Sequence, residues 1–260
     1  MNVTLLSDFG TRDGYVGALK GSLLRRAPGA RLIDVSHDIA PGAIASGAFV
    51  LAQAAPHFPS GTVHLAVVDP GVGSERRAIA CEIGGHHYVA PDNGLLTLVL
   101  DLGGTVRAHL ISRSELWNSE VSPVFHGRDI FAPVAGHLAG GGRLEEVGPS
   151  IDPSTLVRLP EPAVRSLDAA LVGEVVHVDR FGNLITNLRR QADERADLLV
   201  EAAGSTLQLR RAYADVPQGE LLALVGSSGR VEIACNGASA AKVLGARVGS
   251  VVVLRTLGRS

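Results

Sequence analysis

Aromatic residues are scarce in this 260-residue chain: six Phe, three Tyr and one Trp, too few to build the stacking platforms that hold single-stranded nucleic acid. Positive charge is not in excess either. With 24 Lys and Arg against 26 Asp and Glu, the net charge of −2 offers no electrostatic footprint for a phosphate backbone, so nucleic acid is not an expected partner. Lysine is nearly absent, two residues against 22 arginines, a bias that coding composition alone can produce. Cys81 and Cys235 lie far apart without a CxxC partner, which excludes a disulfide framework and a thiolate zinc site and fits a reducing cytoplasm. There is no run of 18 apolar residues, and MNVTLLSDFG at residues 1–10 has no basic leader, so neither a membrane span nor a secretory signal is expected. HExxH, GxSxG and the Walker lysine are missing as well, which removes support for zinc-peptidase, acyl-transfer and NTP chemistry; no metal and no cofactor is expected.

What is present is a patterned globular chain, 46% hydrophobic with 31 Gly and 13 Pro. Short apolar runs at residues 2–7, 31–35 and 62–68 alternate with helical periodicity at 15–27 and 44–55. Further strands read at 78–83, 88–90 and 106–111, and further helices at 95–102 and 129–138. This alternation predicts an α/β sandwich with a mostly parallel sheet over residues 1–150. A Gly-, Pro- and Ser-rich stretch then leads through a linker at 151–168, and residues 169–260 read as short strands with turn signals, a small β-barrel or sandwich domain.

Ligands in open α/β sheets bind beyond the carboxyl ends of the strands, and chemistry-bearing residues cluster there. In SDFGTRDGYVG, Asp8 follows the first strand and suits the two hydroxyls of a ribose, while Asp13 can meet a ligand ammonium; taken alone, the N-cap or Asx-turn reading of each is the stronger. In VVDPGVGSERR, Asp69 ends the most apolar strand, and Arg76 can fold back across the glycine turn to pair with it, as catalytic carboxylate or as structural ion pair. In FHGRDIFAP, His126 precedes a helix expected to be capped by Asp129, and Gly127 allows close approach of a substrate. In DRFGNLITN, Asp179, Phe181 and Asn183 flank a turn; the amide and ring suit a purine, and a plain hairpin turn is the alternative. SSGRVEIACNGA adds Ser227, Glu232, Cys235 and Ala238.

Taken together and in order, SDFGTRDGYVG at 7–17, VVDPGVGSERR at 67–77, PDNGLL at 91–96, FHGRDIFAP at 125–133, DRFGNLITN at 179–187 and SSGRVEIA at 227–234 closely resemble the S-adenosylmethionine hydroxide adenosyltransferases, or SAM hydrolases, relatives of fluorinase and chlorinase. The resemblance spans essentially the whole chain. It implies an N-terminal Rossmann-like α/β domain, a C-terminal β-barrel, and a homotrimer with active sites between the N-terminal domain of one subunit and the C-terminal domain of its neighbour. It also implies the reaction of water with S-adenosylmethionine (SAM) to give adenosine and L-methionine. The family's water-activating Asp-Arg-His set matches Asp69, Arg76 and His126, and its ribose-binding Asp matches Asp8. Asp13, Asp179, Ser227 and Glu232 match positions on the methionine side; Phe181, Asn183 and the backbone from Cys235 to Ala238 match positions near adenine.

The halogenases of this group have Tyr at the position of Asp69 and Trp in the loop that here reads Ala-Pro-Gly-Ala at 40–43, and the fluorinase's extra loop is absent. Gly127 stands where the fluorinase has Ser, although the chlorinase has Gly there too. Asp69 therefore carries the discrimination. A sulfonium leaves as a neutral thioether, so the chemical difficulty lies in the nucleophile. Water benefits from a base and in-line positioning, whereas a carboxylate about 4 Å from a halide repels it by about 4 kcal/mol at an effective dielectric near 20. The residues point to a hydrolase, with a halogenase or a non-catalytic adenosyl-binding module as alternatives.

Overall fold

The computed structural model describes residues 1–160, 162–168, 170–190 and 198–256. They form two units, Met1–Leu159 and Pro160–Ser260. The first contains β1 (Asn2–Ser7), α1 (Tyr15–Arg26), β2 (Arg31–Ser36), α2 (Ile44–Ala54), β3 (Val63–Val67), β4 (Ala78–Ile83), β5 (His86–Pro91), α3 (Thr97–Leu100), β6 (Val106–Leu110), α4 (Ala132–Ala139) and β7 (Ser150–Ile151). Its sheet runs β2-β1-β3-β5-β4-β6-β7.

Successive side chains of a strand point to opposite faces, and here both faces are apolar. Val3, Leu5, Leu65, Val67 and Val89 pack beneath α1 and α4. Leu6, Ala66, Val68, Tyr88 and Ala90 pack on the other side with α2. The α/β sandwich expected from sequence is therefore present. Its sheet is not mostly parallel, however: β2, β1, β3 and β5 pair in parallel, but β5, β4, β6 and β7 pair antiparallel. Gly84 and Gly85, at φ 56° and 82°, join Ile83 to His86 in a two-residue turn, and such a turn makes β4 and β5 a hairpin. His86 and His87 lie in β5.

The helix expected at 129–138 also begins differently. Residues Gly127–Phe131 form a wide π turn, and α4 starts at Ala132. The Ala132 N–H reaches back five residues to the Gly127 carbonyl, and Pro133 has no N–H to offer the Asp129 carbonyl, which accepts instead from Asn118 N. Asp129 is thus not a helix cap. Its carboxylate takes bonds from Arg128, Asn118 and the backbone N–H of Ser122; burial raises its pKa, but these donors outweigh it and bring it down to about 2. Trp117 packs against the same core layer.

The stretch 151–168 divides between the units. Leu156 packs into the first and Val157 N–H donates to Asp92, whereas β8 (Arg165–Leu167) belongs to the second. The second unit continues with β9 (Ala170–Val178), β10 (Leu184–Arg189), β11 (Leu198–Ala202), β12 (Ser205–Arg210), β13 (Leu221–Val225), β14 (Arg230–Cys235), α5 (Ala240–Leu244) and β15 (Val251–Thr256). The order β10-β14-β13-β12-β11-β15-β9 closes on itself through β9–β10, giving a seven-stranded barrel with β8 added outside β9. Closure needs a strand that serves two neighbours. β9 does so by pairing with β15 over its first half and β10 over its second. Periodicity does not predict β11, whose Leu, Glu and Ala residues favour helix; pairing with β12 and β15 overrides that propensity.

Helices α1 and α4 approach closely at Gly136, where an added Cβ would lie 2.6 Å from the Leu23 carbonyl oxygen and 2.8 Å from Arg26 Cβ. Gly136→Ala is expected to cost about 1–3 kcal/mol, read as a lowered denaturation midpoint of the first unit.

Candidate active site

Ser7 at the end of β1 stands in register with Val67 at the end of β3, so Asp8 and Asp69 leave adjacent parallel strands at the same sheet edge. The chain after Asp69 turns sharply. Gly73 has φ 79°, and a Cβ there would meet the Pro123 carbonyl oxygen at 2.7 Å, so this position requires glycine. The turn returns Arg76 to Asp69: Nε lies 3.0 Å from each carboxylate oxygen and Nη2 2.5 Å from Oδ2. The Asp69 side chain is 5% exposed. Asn93 secures the strand just ahead of it by donating to the Val68 carbonyl, which gives the PDNGLL motif a structural role.

Arg76 Nη2 also lies 3.1 Å from His126 Nδ1. A guanidinium only donates, so Nδ1 accepts and the ring proton of a neutral His126 sits on Nε2. Burial, then the Arg76 charge, lowers the His126 pKa, with Asp69 and Asp129 opposing them. The Arg76 guanidinium lies 5.1 Å from the Phe131 ring centroid. Gly127 lets Phe9 approach, since a Cβ would meet its ring at 3.0 Å. Asp69, Arg76 and His126 thus form one contiguous group. Asp8 stands beside it with Oδ2 accepting from Gly42 N–H at 2.8 Å. Asp13 is exposed, and α1 is not capped by any side chain.

In the second unit Asp179 closes the β9–β10 turn by accepting from the backbone N–H groups of Phe181 and Asn183 and from Asn183 Nδ2. A cavity of about 500 Å³ lies against this turn, lined by Phe181, Asn183, Tyr213, Cys235, Gly237, Ala238 and Ser239. Phe181 is 76% exposed, so its ring is open to a ligand in the cavity that it lines. Tyr213 is among the cavity-lining residues that sequence reasoning missed. It lies in a short 3-10 turn outside any strand, and only the fold brings its hydroxyl 3.4 Å from Asn183 Nδ2. Ser227 and Glu232 do not line this cavity; Ser227 is exposed on the β13–β14 turn, and the Glu232 carboxyl lies against Gly226, where a Cβ would sit 1.8 Å from Oε1. Burial, then the Asp179 charge, pushes the Glu232 pKa up to about 7. Among the described residues, no three His, Cys, Asp or Glu side chains are grouped so as to hold a metal ion.

The fold and these groups define a two-domain protein, an α/β sandwich joined in sequence to a small closed β-barrel, with an Asp-Arg-His cluster on the first and an aromatic-amide cavity on the second. The family is specific: residues 3–148 match the SAM hydroxide adenosyltransferase N-terminal domain and residues 173–253 its C-terminal domain. The chain belongs to the SAM hydroxide adenosyltransferase family. It is 46% identical over 255 residues to an (R)-S-adenosyl-L-methionine hydrolase of Salinispora tropica, covering 95% of each chain. To a protein of the same name from Thermus thermophilus it is 42% identical, covering 97% of this chain and 98% of that one. A crystal structure of an uncharacterized conserved protein from Thermotoga maritima superposes with a TM-score of 0.89 at 35% identity, covering 97% and 99% of the two chains.

Glu232 generates a stability prediction. Its folded pKa of about 7 lies above the ordinary 4.5, so between those values the folded state keeps a proton that the unfolded state has released. Its contribution to stability therefore falls as pH rises from about 4.5 to about 7 and is level outside that window. In melts across this range, the difference between wild type and Glu232→Gln should change, the variant gaining relative stability toward pH 8; a constant difference would contradict the burial of this carboxyl.

Proposed function

We propose that this protein hydrolyses S-adenosylmethionine to adenosine and L-methionine, taking the (R)-sulfonium epimer named in its relatives' descriptions as substrate. The observation that carries the reading is the contact of Arg76 with both Asp69 and His126, which organises one carboxylate and one imidazole at a sheet edge beside Asp8. Water attacks C5′ in line with the sulfonium; the C5′–O bond forms, the C5′–S bond breaks, and its electron pair stays on sulfur as the thioether of methionine. The proton of the attacking water passes to Asp69. His126 Nδ1 is occupied by Arg76, so the histidine contributes its Nε2 proton as a hydrogen bond that orients the water rather than acting as base. Asp8 holds the ribose hydroxyls. Phe181, Asn183 and Tyr213, with the backbone from Cys235 to Ala238, hold adenine. Asp13, Asp179, Ser227 and Glu232 serve the methionine end, where carboxylates meet an ammonium.

The assembly that goes with this reading is a cytoplasmic homotrimer whose sites are shared between subunits. No helix among the described residues is long and apolar enough to cross a membrane.

Purified protein incubated with each SAM epimer separately should release adenosine and methionine, faster from the (R) epimer. Formation of 5′-chloro-5′-deoxyadenosine in chloride buffer without adenosine would overturn the hydrolase reading, and calorimetric binding without any product would favour a binding module. Asp69→Ala should lower kcat by a factor on the order of 10² to 10⁴, the usual contribution of a positioned base, while still binding SAM. Near-normal turnover would remove Asp69 from the chemistry.

A further inference from the structure

A chain of polar side chains runs behind Asp8. Ser7 Oγ lies 2.7 Å from His37 Nδ1, His37 Nε2 lies 3.1 Å from Asp34 Oδ1, and Lys20 Nζ donates to Asp34 Oδ2 at 2.7 Å. The order Ser-His-Asp has the connectivity of a hydrolytic triad, but Ser7 is 0% exposed and cannot meet a substrate as nucleophile. Its hydroxyl looks toward the chain instead. With Nε2–H donating to Asp34, Nδ1 of a neutral ring accepts from the Ser7 hydroxyl, and the Ser7 oxygen in turn accepts from the Phe9 N–H at 3.4 Å.

The same two loops meet twice more. Gly10 N–H donates to the His37 carbonyl at 2.8 Å, and Gly42 N–H donates to Asp8 Oδ2 at 2.8 Å. Asp8 is therefore framed on both sides, by Ser7 and Phe9 in its own strand end and by the loop that starts at His37 and reaches Gly42. One of its oxygens is spent on that loop. His37 ties the two loops together, through Ser7 Oγ and through its own carbonyl, which accepts from Gly10 N–H. His37 itself is 4% exposed, so its polar ring is tolerated only because both nitrogens are bonded.

We infer that His37, backed by Asp34, is a positioning residue for the Asp8 carboxylate, acting through Ser7 to fix the geometry with which that carboxylate meets the substrate's vicinal hydroxyls. The inference rests on the assignment of Asp8 to the ribose. A charged hydrogen bond to a hydroxyl contributes discrimination on the order of tenfold to a hundredfold, and this is the quantity His37 controls.

The test compares kcat/KM for SAM with kcat/KM for its 2′-deoxyribose analogue, in wild type and variants whose folding is checked by circular dichroism and thermal melting. Wild type should prefer SAM, and Asp8→Ala should abolish the preference. His37→Ala and Ser7→Ala should each reduce it by about tenfold, through KM for SAM with kcat nearly unchanged. His37→Asn, whose amide reaches the Nδ1 position and can still accept from Ser7, should recover most of it. Should His37→Ala not fold, Ser7→Ala and His37→Asn carry the comparison. A wild-type preference retained in the His37 and Ser7 variants while Asp8→Ala loses it overturns the inference alone. Equal slowing of both substrates, the mark of a merely structural role, also overturns it. A preference that survives Asp8→Ala overturns the ribose assignment and this inference with it.

Discussion

The first unit is organised around a carboxylate at the end of a strand buried on both faces. Asp69 follows Val63–Val67, in which every residue is buried, and an unpaired charge there would be costly to keep. Arg76 removes that cost, and much of the local sequence serves its return. Gly73 makes the turn, Ser74 Oγ closes it on the Gly71 carbonyl, Asn93 holds the strand end, and Phe131 from the π turn covers the guanidinium. Removing the pair would strand not only Asp69 but also His126, whose Nδ1 has Arg76 as its donor. A buried pair is weak evidence of stability by itself; here its value is that it brings three functional groups into one geometry.

The second unit solves a different problem, that of offering flat, partly apolar surface from a chain poor in aromatics. Phe181 and Tyr213 are two of only nine Phe and Tyr residues, and both line the cavity beside Asn183. The turn that carries Phe181 is held by Asp179, so the hairpin reading of this motif and the ligand reading describe the same bonds. These bonds fix the backbone from which the exposed Phe181 ring projects.

Much of this was legible in sequence because it follows from strand ends. Asp8 and Asp69 terminate apolar runs, and in an α/β sheet such residues share an edge; Arg76 lies one tight turn away. The features that escaped depend on partners distant in the chain. Tyr213 carries no periodic signal, and β11 contradicts its own propensity. The antiparallel β4–β5 hairpin follows from one Gly-Gly turn, and Asp129 is no cap because Pro133 opens the helix start into a π turn. A buried histidine next to a strand, such as His37, has no sequence pattern that distinguishes support from packing.

Arginine at position 76 does more than neutralise. Its planar fork meets both Asp69 oxygens while one of its nitrogens faces His126, and a lysine ammonium, being a compact point charge on a flexible stem, cannot hold both partners in one plane. The two contacts set opposite properties of the pair. Donation to Asp69 fixes the orientation of the carboxylate, and donation to Nδ1 forces the proton of a neutral histidine onto Nε2, leaving it able to give a hydrogen bond. Under the proposed hydrolysis, a water between them would be held by its oxygen on one side and by its hydrogen on the other, an orientation that suits attack by water and has no equivalent for a halide, which carries no proton to place against the carboxylate.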